Sequence, residues 1–300
     1  MIEQVDVKPL PTRSELKALL AEKGFSPKRR LGQNFLVDHN MLRFIARTAE
    51  LGQAELVLEI GAGTGMLTGL LASQAGHIIA VEVDPGLAGI CREYVSAESN
   101  VEVITADILE SKSALNPQVL SRCRRLSKSS ELTTFKVVSN LPYVVATPVV
   151  LNLLESDLNI DLMVVLVQEE IAAKFAAEVN TPEYGVPGVL AQVHGNVEVV
   201  RRLSPRLFWP EPEVTSTLVK ITPAGHTLFP PGRYDQFRAF VKTLFSHRRK
   251  TILKILSQKK PTGKAGITAV LDKLGINSKS RPQELPVPKL AELFVSLPAS

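Results

Sequence analysis

Residues 56–68 read LVLEIGAGTGMLT, an apolar strand followed by three glycines and a helical pattern. Glycine lets the backbone turn tightly and approach a ligand, and a helix start presents free N–H groups. The dinucleotide fingerprint G-x-G-x-x-G would need a glycine where this chain has Met66. The stretch therefore predicts a nucleoside-binding loop at Gly61, Gly63 and Gly65, and pyrophosphate binding is less favoured.

Apolar strands alternate with helical patterns on both sides of this loop. Near-continuous apolar strands separated by helices are typical of a parallel sheet covered on both faces. Two later segments, 197–203 and 215–222, predict an antiparallel edge. We therefore predict an α/β, Rossmann-like domain whose first strands cover 55–60, 77–83, 101–106, 135–140 and 162–168.

Composition and pattern divide the chain further. Residues 1–30 are polar and predict a loosely ordered or weakly helical extension, and 31–222 form the α/β domain. Within it, residues 111–134 are polar and contain the basic cluster RCRRLSK, which indicates a surface insertion with a short helix. A Pro/Gly-rich linker follows at 222–232, and strand signals then stop. Residues 223–300 are expected to form a small α-helical C-terminal domain.

The charges are unevenly distributed along the chain. Residues 223–300 hold 14 Lys and Arg against 4 Asp and Glu, whereas residues 1–222 hold 21 against 26, from whole-chain totals of 35 and 30. A basic tail on a mildly acidic body favours a nucleic acid partner over a merely solvated surface.

Other bulk features narrow the class of protein. No run reaches the roughly 18 apolar residues of a membrane span, and no targeting peptide is apparent. The spacing of the two cysteines, Cys91 and Cys123, matches neither a disulfide framework nor a metal-ligand motif. The sequence therefore predicts no disulfide scaffold and no metal site. We expect a cytoplasmic monomer.

Two acidic residues, Glu82 and Asp107, stand at the ends of the two strands that follow the glycine loop. A carboxylate at the position of Glu82 can accept hydrogen bonds from both ribose hydroxyls of a nucleoside. Asp107 ends the third strand, where its carboxylate could meet an adenine amine. Each acid alone is also explained by a helix cap or a loop charge. The combination resembles class I S-adenosylmethionine-dependent methyltransferases, which implies S-adenosylmethionine as the cofactor.

The segment NLPY, residues 140–143, stands at the end of the fourth strand. An adenine amine is a poor nucleophile because its lone pair is conjugated into the ring. Asn140 offers a side-chain carbonyl and Leu141 a backbone carbonyl, and both could accept hydrogen bonds from that amine and stabilise developing positive charge. Pro142 stiffens the turn, and Tyr143 offers a ring for stacking. The alternative interpretation is a simple turn after a strand.

Phe208, in FWPEPEV, is the second candidate for stacking on the base. Plain core packing explains this residue equally well.

Several motifs together resemble the small-subunit (16S) ribosomal RNA adenine dimethyltransferases. They run in family order from residue 31 to about 295. They are LGQNFLVD (31–38), VLEIGAGTGMLT (57–68), VEVD (81–84), AD (106–107), NLPY (140–143), VQEEIAAKF (167–175), EYG (183–185), FWPEPEVTSTLV (208–219) and FSHRRKTI (245–252).

The resemblance implies a reaction and a partner. The reaction is transfer of two methyl groups to N6 of each of two adjacent adenosines in a hairpin loop near the 3′ end of small-subunit rRNA, within an immature ribosomal subunit. It also implies that six residues contact the cofactor: Asn34, Leu36, Gly61, Glu82, Asp107 and Asn140.

The chain departs from the family pattern at a few positions. Pro187-Gly188 replaces a Leu-Ser pair, Val144 and Ala146 replace polar residues after NLPY, and 111–134 is longer than usual. Two rival functions stay open: a 23S rRNA methyltransferase of the antibiotic-resistance type, and a non-catalytic ribosome assembly factor. A dehydrogenase is disfavoured by Met66.

Residues 237–256, FRAFVKTLFSHRRKTILKIL, predict one continuous amphipathic helix. At about 3.6 residues per turn, Arg248 falls inside the apolar stripe, whereas Arg249 and Lys250 fall outside its centre. Arg248 is therefore expected to pair with a carboxylate or with backbone carbonyls at the domain junction. Arg249 and Lys250 are expected to face solvent and bind rRNA phosphate. The alternative is a solvated run of three charges.

Overall fold

The computed structural model describes residues 10–28, 31–224, 228–229, 232–258 and 263–297. They form two compact units: the described residues within 10–172 and 198–223 make up the first, and those within 173–197 and 224–297 make up the second. The linker expected after residue 222 coincides with one division. The segment 173–197 differs from the sequence-based boundaries, since it groups with the C-terminal helices. A hydrogen bond within the second unit explains why 173–197 groups with these helices, because the buried Tyr184 hydroxyl donates to the Leu285 carbonyl at 2.9 Å.

A seven-stranded sheet forms the centre of the first unit, in the order β4-β3-β2-β7-β8-β11-β9. Strands β4, β3, β2, β7 and β8 are mutually parallel, and β11 runs antiparallel to β8. The predicted parallel sheet and its antiparallel edge are thereby confirmed. The strands are β2 (Glu55–Ile60), β3 (His77–Glu82), β4 (Val101–Thr105), β7 (Thr134–Asn140), β8 (Leu162–Gln168), β9 (Gly195–Leu203) and β11 (Ser216–Pro223).

The direction in which successive strands are added to the sheet changes at β2, and the candidate site lies at this point. The chain proceeds from β2 outward to β3 and β4, and then returns to β7 on the other side of β2. Ligands of open α/β sheets bind at such a switch point, beyond the carboxyl ends of the strands. The glycine loop, Glu82, Asp107 and Asn140 all follow or end these strands.

Helices cover the sheet, and two of them begin at aspartate caps. Asp38 caps α2 by accepting a hydrogen bond from the Met41 N–H at 2.8 Å. Asp84 caps α4 with Pro85 in the first turn. The helix after the glycine loop begins at Met66, directly after Gly65. The helices are α2 (His39–Thr48), α3 (Met66–Ala72), α4 (Pro85–Tyr94), α5 (Pro117–Leu126), α6 (Ala146–Glu155) and α7 (Glu169–Phe175).

The N-terminal extension contains a well-formed helix, α1 (Arg13–Glu22). Thr12 and Glu15 form a reciprocal capping box at its start. Leu16 and Leu20 are fully buried in the core of the first unit. Of the two expected alternatives, the helical one therefore holds for the described residues 10–28, and residues 1–9 and 29–30 lie outside them.

The insertion 111–134 contains the expected short helix, α5. The strand pair β5 (Leu109–Ser111) and β6 (Ala114–Leu115) precedes it. Two of the four basic residues in its cluster are paired, since Arg122 forms an ion pair with Glu102 and Arg124 a bidentate pair with Asp157.

The second unit consists mainly of helices around an aromatic cluster. Phe237 and Phe294 meet at 5.4 Å between ring centroids, and Phe229 packs on Phe237 at 4.7 Å. In α8, Gly188 approaches the Lys174 carbonyl so closely that a Cβ would lie 2.4 Å from it, which gives the unusual Pro187-Gly188 pair a packing role. The helices are α8 (Val186–Gln192), α9 (Tyr234–Phe245), α10 (Ile252–Ser257), α11 (Gly263–Lys273) and α12 (Val287–Ser296).

The predicted continuous helix over 237–256 is wrong. It breaks after Phe245 and restarts at Ile252, where Thr251 caps the new helix by accepting a hydrogen bond from the Lys254 N–H at 3.3 Å. Arg248, Arg249 and Lys250 lie in the turn between the two helices, so the helical-wheel argument does not apply to them. Within the described ranges, no helix is long and apolar enough to cross a lipid bilayer.

Candidate active site

A cleft opens at the carboxyl edge of the sheet and is lined entirely by the first unit. Its empty volume, including the open mouth, is about 1170 Å³. The cleft brings together most of the predicted site residues. They are Asn34, Leu36, Gly61, Gly63, Glu82, Asp107, Asn140, Leu141, Pro142 and Tyr143.

The glycine loop forms one wall of the cleft. Gly61, Gly63 and Gly65 have φ of 77°, 59° and 85°, a region that disfavours side chains. A Cβ on Gly61 would come within 3.0 Å of the Pro142 ring. Glycine at this position therefore allows the loop after β2 to approach the NLPY segment after β7. Gly65 is not itself part of the lining, because it caps α3 against Cys91.

Glu82 ends β3 and is only 4% exposed. Its carboxylate accepts hydrogen bonds from the Gly63 N–H at 2.8 Å and the Asp84 N–H at 2.9 Å. Burial raises the pKa of Glu82, and the two backbone hydrogen bonds partly oppose this rise. An acidic acceptor is thus held in a fixed position beside the glycine loop.

Asp107 follows β4 and is exposed at the edge of the cleft. One carboxylate oxygen accepts a hydrogen bond from the Leu109 N–H at 2.9 Å. The second oxygen keeps its acceptor capacity for a ligand amine.

Asn140 closes β7 at the cleft. Its amide nitrogen donates to the Asn34 carbonyl at 3.3 Å, and none of the described residues donates a hydrogen bond to its amide oxygen. Asn34 comes from the segment before β1 (Phe35–Leu36), and its own amide donates to the Gly32 carbonyl at 3.2 Å. Asn140 therefore joins two walls of the cleft and presents an acceptor.

The rest of NLPY is fixed by local contacts. The Leu141 N–H donates to the Leu166 carbonyl at 3.1 Å, and the Val145 N–H donates to the Pro142 carbonyl at 3.1 Å. The Tyr143 hydroxyl lies 2.6 Å from the Ser216 hydroxyl. A tight turn thus places the Tyr143 ring in the wall.

The structure places Phe208 in the core, as the alternative of plain core packing expects, and not in the lining of the cleft. Its side chain is fully buried and does not line the cleft. Phe208 and Trp209 form β10, which pairs with β1, so that Leu36 lies opposite Phe208. Because the pairing joins segments far apart in the chain, the local sequence does not reveal it.

Glu59 and Gln33 also line the cleft and were missed by sequence reasoning. Glu59 is 2% exposed, and burial, reinforced by nearby Glu82, raises its pKa to about 8. Its Oε2 atom and the Gln33 Nε2 atom are buried without a hydrogen-bond partner in the described part of the chain. An acidic residue inside an otherwise apolar strand was the available signal for Glu59.

These groups fit S-adenosylmethionine. The nucleoside end needs acceptors for ribose hydroxyls and an adenine amine, which Glu82 and Asp107 provide. The amino acid end carries an ammonium and a carboxylate, for which the unpartnered Glu59 oxygen and Gln33 nitrogen offer an acceptor and a donor. The fold and the site together define a class I methyltransferase.

Comparisons with known proteins identify the family. A family model for ribosomal RNA adenine dimethylase matches residues 24–297, and the chain belongs to this family. It is therefore an S-adenosylmethionine-dependent enzyme that methylates adenine in rRNA.

Similar proteins include two named ribosomal RNA small subunit methyltransferase A. The one from Pediococcus pentosaceus is 38% identical over 92% of this chain and 91% of its own length. The one from Geobacillus thermodenitrificans is 35% identical over 97% of each chain.

Two solved structures share the fold. The 23S rRNA methyltransferase ErmE is 28% identical with a TM-score of 0.65, over 88% of this chain and 99% of its own. A dimethyladenosine transferase from Plasmodium falciparum has a TM-score of 0.71 at 21% identity, over 85% of this chain and 94% of its own.

The second unit carries the predicted RNA-binding residues. Arg249 is exposed and Lys250 is half-buried in the turn after α9. Arg248 donates to the Pro182 carbonyl at 3.1 Å and the Thr181 carbonyl at 3.4 Å. Pairing with backbone carbonyls is confirmed, but both carbonyls belong to the second unit, so the contact does not lie at a domain junction.

Proposed function

We propose that this enzyme transfers methyl groups to N6 of two adjacent adenosines in the 3′-terminal hairpin loop of small-subunit rRNA. The observation that supports this most is the single cleft shared by Glu82, Asp107 and the NLPY segment. The end of the cleft that would bind the nucleoside of the cofactor and the end that would bind the target adenine are thereby adjacent. The relatives named small subunit methyltransferase A cover nearly the whole chain and favour the small subunit.

The cleft is suited to activating an adenine amine. When bound, S-adenosylmethionine supplies a methyl carbon made electrophilic by the sulfonium. The Asn140 amide oxygen and the Leu141 carbonyl accept hydrogen bonds from the target amine, which favours a more tetrahedral nitrogen and stabilises its developing positive charge. Tyr143 would stack on the base and orient its amine toward the methyl group that S-adenosylmethionine would supply there, and positioning of this kind can account for a large part of the rate enhancement.

No strong base is required beside the amine. Its proton becomes acidic once nitrogen carries the extra bond, and it leaves to water at the cleft mouth. Glu59 does not serve as this base, because it lies with Gly61 and Glu82 on the side of the glycine loop.

The second unit supplies electrostatic attraction to rRNA. Residues 223–300 carry a formal net charge of +10, from 14 basic and 4 acidic residues. We assign Arg249 and Lys250 to phosphate contacts with the immature small subunit, and expect a cytoplasmic monomer.

The likeness to a 23S rRNA methyltransferase makes that substrate the alternative. Purified enzyme and labelled S-adenosylmethionine are incubated with equimolar unmethylated small-subunit particles and free 23S rRNA in one tube. The two RNAs are then separated and counted. Label should enter the small-subunit rRNA. Label confined to 23S rRNA would support the alternative, and no label in either RNA would support an assembly factor without catalytic activity.

A further inference from the structure

The Tyr143 ring is restrained at its far end. Tyr143 lies in a turn between β7 and α6, outside any helix or strand. Its hydroxyl oxygen is 2.6 Å from the Ser216 hydroxyl oxygen, a short distance for a neutral O–H···O bond. The bond joins residues 73 positions apart.

Ser216 is a rigid anchor for this bond. It is the first residue of β11, pairs with Gln168 of β8 and is fully buried. The preceding residue is also fixed, because the Thr215 carbonyl accepts a hydrogen bond from the Glu169 N–H at 2.9 Å. Ser216 does not line the cleft, so any effect it has on the substrate must act through another residue.

We propose that Ser216 is a positioning residue that sets the tilt of the Tyr143 ring for stacking on the target adenine. The inference rests on the proposed role of Tyr143. A phenol fixed only at Cα and Cβ retains freedom about its side-chain torsions, and a hydrogen bond at the opposite end of the ring removes most of it. Small displacements of a positioning group are known to lower rates strongly.

The neighbouring Thr217 provides a matched control. It is 1% exposed on the same strand, and its hydroxyl has no hydrogen-bond partner within the described residues. Adjacent strand residues face opposite sides of the sheet, so Thr217 points away from Tyr143. Thr217→Val removes this buried hydroxyl with little change in side-chain size, and the substitution does not contact the Tyr143 ring.

The test is a double-mutant cycle on single-turnover methyl transfer to small-subunit particles. Ser216→Ala and Tyr143→Phe should each lower the maximal rate by about three- to tenfold, the range expected for one neutral hydrogen bond. The double variant should be no slower than either single variant, because both remove the same bond. S-adenosylmethionine affinity should be unchanged in all three, and Thr217→Val should retain the wild-type rate. A purely structural role would not produce this separation of rate from affinity.

Two results would overturn the inference. One is a wild-type rate for Ser216→Ala, and the other is a double variant slowed by the product of the single effects, since Ser216 would then act independently of Tyr143. Tyr143→Ala separates this from failure of the proposed function. If that variant methylates at the wild-type rate, the proposed role of Tyr143 is wrong. If it is inactive while Ser216→Ala is normal, only the positioning role is wrong.

Discussion

Replacing Glu82 with alanine should weaken S-adenosylmethionine binding strongly. In the free enzyme this carboxylate accepts hydrogen bonds from the Gly63 and Asp84 N–H groups at 2.8 and 2.9 Å. The carboxylate is 4% exposed, so water competes little for it. Its position beside the glycine loop leaves it able to accept hydrogen bonds from the ribose hydroxyls as well.

The magnitude follows from the charged acceptor. One hydrogen bond to a charged group contributes about 1.5–3 kcal/mol. Losing the equivalent of one such bond to ribose weakens affinity roughly ten- to hundredfold. The free energy of unfolding should fall by less than the loss of two backbone hydrogen bonds would predict. The reason is that alanine also removes a carboxylate whose burial is unfavourable, the same burial that raises the pKa of Glu82.

Isothermal titration calorimetry with S-adenosylmethionine measures this effect. Glu110→Ala is the control, since Glu110 is exposed and does not line the cleft. Thermal unfolding of each variant establishes that it is folded. Wild-type affinity in a folded Glu82→Ala variant would remove Glu82 from the cofactor site and refute the reasoning.

Three further predictions concern other groups. Asn140→Ala should bind the cofactor appreciably but lose most methyl transfer, and a near wild-type rate would exclude Asn140 from catalysis. The raised Glu59 pKa favours the protonated carboxyl in the folded state, so the free energy of unfolding should fall between pH 4.5 and about 8. Glu59→Gln should flatten that slope by up to about 1.4 kcal/mol per pH unit in urea titrations, and an unchanged slope would contradict the pKa assignment. Replacing Arg249 and Lys250 with alanine should reduce the slope of log affinity for small-subunit particles against log salt by about 0.7–0.9 per lost phosphate contact. Arg248→Ala should mainly lower the melting temperature. A reduced salt slope with an unchanged melting temperature in Arg248→Ala would contradict this division of roles.

The sheet was predictable because several of its strands are nearly continuous apolar runs, as in β2, β3 and β8. The predicted strand 162–168 agrees with β8, and 55–60 with β2. Buried parallel strands produce this pattern directly. The positions of Glu82 and Asn140 then followed, because residues that end neighbouring parallel strands lie at one edge of the sheet.

Non-local contacts were the part that sequence could not supply. Phe208 is buried through pairing of β10 with β1, and Ser216 meets Tyr143 across 73 positions. The apolar pattern over 237–256 also hid a local signal, because Thr251 caps a new helix at Ile252 after α9 has ended at Phe245. Arg248 reaches backbone carbonyls although the helical geometry used to predict this was wrong.

The most direct test of the central claim is the product on the RNA. Small-subunit rRNA methylated by the purified enzyme is cut by nuclease, and its 3′-terminal hairpin fragment is measured by mass spectrometry. Two adjacent N6,N6-dimethyladenosines are expected in the loop, and a largely unmodified fragment is expected after reaction with Asn140→Ala. A fragment from the wild-type reaction that stays unmodified, while methyl groups appear elsewhere in the RNA, would contradict the central claim.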